Sequence, residues 1–186
     1  MEKLIVITGT PGTGKSTLAE HLGKRIGAEV IGANEIAKRY GYEIGKDGYG
    51  TSIIDMGKLE RKINQIAKEH SEKKIKLILE GHLLSGIKVD NAIVIVMRAH
   101  LPTLIKRLEK RRYPFGKIRD NIISEAINLC GSDSRKRYKM VYEVLCGKSS
   151  DAEAMRIVRY GKGKNKSMDM MPELLKIIKK NSSFLS

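Results

Sequence analysis

GTPGTGKST (Gly9–Thr17) directly follows the short apolar run KLIVIT (Lys3–Thr8). It opens an amphipathic stretch, KSTLAEHLGKRI (Lys15–Ile26), with Leu18, Leu22 and Ile26 on one helical face. The stretch matches G-x-x-x-x-G-K-[ST] through Gly9, Gly14, Lys15 and Ser16. Between a strand and a helix, this spacing makes a phosphate cradle. Gly12 and Gly14 permit the bend that turns successive backbone N–H groups inward. The helix N-terminus adds its positive end. Lys15 can then reach the β- and γ-phosphates, and the Ser16 hydroxyl is a ligand for Mg²⁺. The loop implies a nucleoside triphosphate with Mg²⁺; the acceptor of the phosphoryl group is left open.

Outward from this loop, strand and helix patterns alternate. AEVIGA (Ala28–Ala33) reads as a second strand, KLILE (Lys76–Glu80) as a third and NAIVIVMR (Asn91–Arg98) as a fourth. MGKLERKINQIAKEH (Met56–His70) aligns Leu59, Ile63 and Ile66 on one helical face, and LPTLIKRLEKRR (Leu101–Arg112) is a helix with Pro102 in its first turn. A polar helix is expected from Ile118 to about Cys130, and a further helix in KRYKMVYEVLCG from the spacing of Tyr138, Val141, Tyr142 and Leu145. AMRIVRYG (Ala154–Gly161) reads as the fifth strand and MPELLKIIKK (Met171–Lys180) as the last helix. The expected fold is α/β, a parallel sheet covered by helices on both faces.

The 186 residues fit one compact domain, and 41% hydrophobic content is enough for a core. With no Trp and two Phe, that core is mostly aliphatic. No apolar run reaches the roughly 18 residues of a membrane span, and MEKLIVITG lacks a signal-peptide layout. Cys130 and Cys146 form no metal-ligand pattern, so a reducing, cytoplasmic setting is expected. Lys and Arg number 36 against 21 Asp and Glu, a net charge of +15. That excess suits an anionic partner such as nucleotide, RNA or an acidic protein, and equally a solvated Lys-rich surface.

The third strand ends in LILEGHLLSG (Leu77–Gly86), where Glu80 closes a buried run and His82 follows. A carboxylate there is costly unless its charge is used. In a parallel P-loop sheet this strand end lies beside the phosphate loop, where a Walker-B carboxylate holds Mg²⁺ directly or through water. Glu80 and Ser16 are therefore the candidate metal ligands. KRLEKRRYPFGKIRDNI (Lys106–Ile122) gathers Arg107, Lys110, Arg111, Arg112, Lys117 and Arg119 around Tyr113 and Phe115. Such a cluster suits a lid whose guanidiniums neutralise charge developing during transfer.

GTPGTGKS, the triplet Glu80–His82 and RRYPFGKIRDNIISEA (Arg111–Ala126) resemble the archaeal and eukaryotic adenylate kinase isoenzyme six family. The resemblance implies a nucleoside monophosphate kinase fold with a five-stranded parallel sheet in the order 2-3-1-4-5. It implies conversion of ATP and AMP to two ADP, together with ATPase activity. A role in small ribosomal subunit maturation, with a platform protein and rRNA as partners, is implied as well. By matching positions, Gly12, Gly14, Lys15, Ser16 and Thr17 would hold ATP. Glu80 and His82 would form the acidic-x-His motif, Arg111 would be the lid arginine, and Lys166 would lie near the adenine. The monophosphate segment would span about 32–55 and the lid about 110–120 of a single 1–186 domain.

Two departures from the family stand out. Arg112 occupies a turn position where relatives often carry Gly. Lys38 stands where many carry Arg, which removes a bidentate fork. For transfer to AMP no strong base is needed, because the acceptor oxygen is already a nucleophile; Lys15 and Arg111 would stabilise the transferring group, with Arg107 a second lid candidate. Hydrolysis requires an oriented water. His82 could serve it, brace Glu80 or satisfy loop backbone. Asp55 reads best as the cap of the helix at Met56. The remaining alternatives are an assembly ATPase with incidental kinase activity and a kinase with a non-nucleotide acceptor.

Overall fold

The computed structural model describes residues 4–163, 167–181 and 184. Its centre is a parallel sheet of β1 (Leu4–Thr8), β2 (Glu29–Gly32), β5 (Leu77–Glu80), β6 (Ala92–Arg98) and β7 (Val141–Leu145), ordered β2-β5-β1-β6-β7. Counting only these five strands, the order is the expected 2-3-1-4-5. β1 pairs on both sides, Ile7 opposite Glu80 and Ile95, so the phosphate loop leaves the middle of the sheet between two strand ends. Among the described residues no helix is long and apolar enough to cross a membrane.

Alternation along β1 divides the core. Ile5 and Ile7 pack with Leu18 and Leu22 of α1 (Lys15–Ile26) and with Ala154 and Ile157 of α7 (Ser150–Tyr160). Val6 faces the other side, toward Ile36 of α2 (Ala33–Arg39) and toward Leu59 and Ile63 of α3 (Met56–Glu72). A third cluster joins Leu104 and Leu108 of α4 (Leu101–Lys110), Ile122 of α5 (Phe115–Ala126) and Leu174 of α8 (Met171–Lys180). The continuous apolar strands are thus buried on both faces, as crossover helices require.

Three expected elements take different forms. The helix expected around Tyr138–Leu145 is instead strand β7, parallel to β6 from Val94↔Val141 to Arg98↔Leu145. A short apolar run carries both periods, and here the free edge of the sheet decides. The strand expected at Ala154–Gly161 is the second half of α7. Asp151 and Glu153 occupy its first turn, and Gly161 ends it at φ 62. The single polar helix from Ile118 is two helices, α5 and α6 (Leu129–Arg137), broken at Asn128, whose φ is 54.

Between β2 and α3, residues 33–54 form α2 and an antiparallel hairpin, β3 (Glu43–Lys46) and β4 (Ser52–Ile54). The Asp47 carboxylate accepts the N–H groups of Tyr49 and Thr51, each at 2.8 Å, and closes the hairpin tip. These bonds hold its pKa below the usual carboxylate value. Asp55 caps α3, its carboxylate accepting the Lys58 N–H at 3.0 Å, as expected.

Candidate active site

The phosphate loop takes the backbone its glycines allow. Gly12 and Gly14 sit at φ 91 and φ 97, a region that disfavours side chains, and a Cβ on Gly12 would lie 2.8 Å from Leu104 Cδ1. Thr13 donates its hydroxyl to the Thr10 carbonyl at 2.8 Å, and the Lys15 ammonium donates to the same oxygen at 3.1 Å. Lys15 is buried, and that burial lowers its pKa. The charge of Glu80 opposes the shift, and that of Arg111 adds to it.

Beside the loop, β5 delivers Glu80 to the mouth of the site. The Ser16 hydroxyl donates to Glu80 Oε2 at 3.3 Å. The two predicted metal ligands are therefore brought together by parallel strand register, 64 residues apart in sequence. Both donors are oxygens, the type a hard divalent cation takes, so the pair fits Mg²⁺. Gly81 follows at φ 150, with its N–H donating to the Ile7 carbonyl at 3.1 Å. That bend turns the chain from strand into the short 3-10 segment His82–Gly86, placing His82 on the same cleft as Glu80. Burial first, then the charges of Lys15 and Lys117, push the His82 pKa down to about 4. Its imidazole is neutral at pH 7.

The cleft over the loop holds about 700 Å³ and is walled by Lys15, Ser16, Thr17, Glu80, His82 and Arg111. Two further clefts share walls with it. One, about 540 Å³, runs under the hairpin past Asn34, Lys38, Thr51 and His82. The other, about 530 Å³, lies beyond the loop and is lined by Gly12, Gly14, Arg107, Arg111, Cys146 and Lys148. Arg107 is not free to swing, since it donates to the Gly12 carbonyl at 3.0 Å and to Cys146 Sγ at 3.4 Å. Lys166 lies outside the described residues.

Sequence reasoning missed two parts of this site. Reading Val141–Leu145 as helix hid Cys146–Lys148, which follow β7 and border the third cleft. The hairpin also meets α5 across the main cleft. The Tyr49 hydroxyl donates to Asp120 at 2.9 Å, and Lys117 donates to Thr51 while lying 4.6 Å from the Tyr113 ring centroid. The turn signal DGYGT (Asp47–Thr51) was present but unread, and nothing in the sequence encodes the direction of the hairpin.

Comparison with known proteins fits this geometry. A sequence family described as the AAA domain matches residues 5–128. A protein named "Putative adenylate kinase" from Methanocaldococcus jannaschii is 37% identical over 141 residues, 75% of either chain. Another of that name from Methanothermobacter thermautotrophicus is 39% identical over 127 residues, 68% of this chain and 70% of that one. The chain belongs to this family of P-loop kinases. Two solved structures place the kinase by fold alone. A sugar kinase from Janibacter sp. HTCC2649 superposes with a TM-score of 0.61 at 12% identity, covering 89% of this chain and all of that one. The shikimate kinase of Acinetobacter baumannii superposes at 0.55 and 16% identity, covering 87% and 96%.

Proposed function

We propose that the protein is an adenylate kinase that converts ATP and AMP to two ADP and also hydrolyses ATP. The observation that carries this reading is a row of three adjoining clefts: the central one, walled by Lys15, Ser16 and Glu80, shares Asn34, Thr51 and His82 with the cleft under the hairpin and Gly12, Gly14 and Arg111 with the cleft beyond the loop. Such an arrangement suits two nucleotides meeting head to head at their phosphates. The relatives' printed name supports the same acceptor. In this reading the chain is one P-loop kinase domain, with residues 32–55 as the monophosphate segment and 110–120 as the lid.

The donor's triphosphate lies in the phosphate loop, with Lys15 on the β- and γ-phosphates and its base in the cleft bordered by Arg107, Cys146 and Lys148. Arg111 lines both that cleft and the central one, so its charge can follow the phosphoryl group in transit. Mg²⁺ held by Ser16 and Glu80 would neutralise charge on the β- and γ-oxygens. AMP lies under the hairpin, with Lys38 available to its phosphate. Transfer needs position and charge neutralisation, not a base. Hydrolysis needs an oriented water, and neutral His82 has a ring nitrogen free of a proton to accept from one.

A second reading, an assembly ATPase that acts on ribosomal RNA and a small-subunit platform protein, is favoured by the +15 net charge. One experiment separates the two. ADP formation from ATP is followed with AMP, other nucleotides, small-molecule alcohols, rRNA or no addition. Rapid AMP-dependent ADP formation, abolished in Lys15→Ala, is the expected result. If AMP gives no increase while rRNA stimulates hydrolysis, the acceptor assignment is overturned in favour of the second reading.

A further inference from the structure

Glu125 is a fully buried carboxylate on α5 whose two oxygens have different partners. Oε1 accepts Arg98 Nε at 2.9 Å and the Ala99 N–H at 3.0 Å. It thereby ties α5 to the end of β6. The Glu125 backbone carbonyl strengthens the tie by accepting Arg98 Nη2 at 2.7 Å. Oε2 makes none of these contacts; it accepts the hydroxyl of Thr10, in the phosphate loop, at 2.6 Å. Thr10 is itself 2% exposed, and its carbonyl is the oxygen that receives the Lys15 ammonium.

A hydroxyl on a charged acceptor makes a strong, directional bond. Thr10 is therefore fixed at its side chain by the carboxylate, and its carbonyl is fixed with it. The same helix sends Lys117, Asp120, Asn121 and Ser124 to the wall of the central cleft. One carboxylate thus sets the distance between the phosphate loop and that wall.

We propose that Glu125 is a positioning residue for phosphoryl transfer: through Thr10 it fixes the carbonyl that holds Lys15, and it anchors the cleft-lining helix to the same point. This rests on the kinase reading above only where turnover is measured. Misplacing a reacting group by about 1 Å can cost on the order of 100-fold in rate. Thr10→Val removes the hydroxyl and keeps the shape. It is expected to lower kcat about 10- to 100-fold with the KM for ATP changed much less. Thr10→Ser restores the hydroxyl and returns kcat to within a few-fold of the parent. Glu125→Gln keeps the volume and the contact to Arg98 but turns an amide N–H toward the Thr10 hydroxyl, which replaces the charge-assisted bond by a weaker one of reversed direction, so kcat falls by less than in Thr10→Val. The double variant loses no more than Thr10→Val, because both changes act on one bond.

A second readout needs no turnover. In the nucleotide-free protein, site-resolved acetylation of Lys15 by acetic anhydride is expected to accelerate several-fold in Thr10→Val, less in Glu125→Gln and not at all in Thr10→Ser. Parental kcat and parental Lys15 reactivity in folded Thr10→Val overturn the proposal. Equal losses in Thr10→Val and Thr10→Ser, or additive losses in the double variant, also overturn it. If Thr10→Val does not fold, Thr10→Ala takes its place beside Thr10→Ser and decides the matter in the same way. A parent that forms no ADP from AMP refutes the acceptor assignment, while the acetylation rates still test Glu125.

Discussion

His82 titrates in an unusual place. Half-buried, and under the charges of Lys15 and Lys117, it has a pKa of about 4 against an ordinary 6.5. Between these values the unfolded chain holds the proton more readily than the folded one. Folding is therefore penalised as pH falls from about 6.5 to about 4, and the penalty is absent above that window. The shift corresponds to on the order of 1–3 kcal/mol once partial solvent access is allowed for. The stability difference between the parent and His82→Gln should narrow by about that much when denaturant unfolding is repeated from pH 7 down to pH 4. A difference that stays constant across this range contradicts the assigned environment. The same neutrality bears on chemistry. A histidine unprotonated throughout pH 5.5–8 gives the hydrolysis profile no inflection of its own there, so any inflection must come from another group.

At the scale of elements, the turn from α4 into α5 carries the cluster of basic residues, and Arg112 crosses it at φ 57. This turn lies in the left-handed region that glycine adopts freely. Holding a residue with a Cβ there costs about 1–2 kcal/mol, partly offset by the lower entropy of its unfolded chain. Arg112→Gly is expected to raise stability by up to about 1 kcal/mol, and Arg112→Val to lower it by a similar amount, since a β-branched side chain fits this region worst. Thermal unfolding should rank Gly above Arg and Arg above Val, in steps of about 2–4 °C. If Gly proves the least stable, the turn has another conformation. Elements with strong local signals were legible in the sequence. The phosphate loop, the first four sheet strands and the cap at Asp55 follow from glycine placement, apolar runs and capping chemistry. β7 and α7 were exchanged because Tyr138, Val141, Tyr142 and Leu145 also fall at helical spacing, whereas Ile157 and Val158 favour a strand locally. The signals for α7, acidic residues at its start and Gly161 at its end, were present but outweighed. In the site, Lys15, Ser16, Glu80 and His82 converge because parallel pairing is regular. Thr10–Glu125 and Tyr49–Asp120 are contacts 115 and 71 residues apart that no local pattern encodes.

Across the whole molecule, Arg98 explains how Glu143 can be buried at all. It sits at the end of β6, 1% exposed, between the carboxylates of Glu125 and Glu143. Burial alone would raise the Glu143 pKa. Bonds from the Met168 N–H, Arg135 and Asn128, with the charge of Arg98, outweigh this and hold it below the ordinary value of 4.5. A carboxylate with a depressed folded pKa contributes stability above its unfolded value and loses it as pH falls through the folded one. The cluster is balanced, with Arg98 and Arg135 against Glu125 and Glu143, and it joins β6, β7, α5 and α6 at the end of the sheet where the clefts open. Its value for stability lies in completeness, since replacing a whole buried ion cluster by apolar groups can be neutral. Removing one member is different. Arg98→Met leaves two carboxylates with too little positive charge and is expected to cost about 3–5 kcal/mol near pH 7. Protonation relieves that repulsion, so the deficit should shrink as pH falls toward 4.5. Urea unfolding of parent and variant at pH 7 and pH 4.5 measures both quantities. A loss under about 1 kcal/mol at pH 7, or a deficit unchanged by acid, would show that Arg98 does not hold these carboxylates in the folded protein. The Arg98 bonds that join the strand ends also fix Glu125 against Thr10. The variant should therefore lose phosphoryl transfer at temperatures well below its own melting point, which ties the order of the sheet to the position of the phosphate loop.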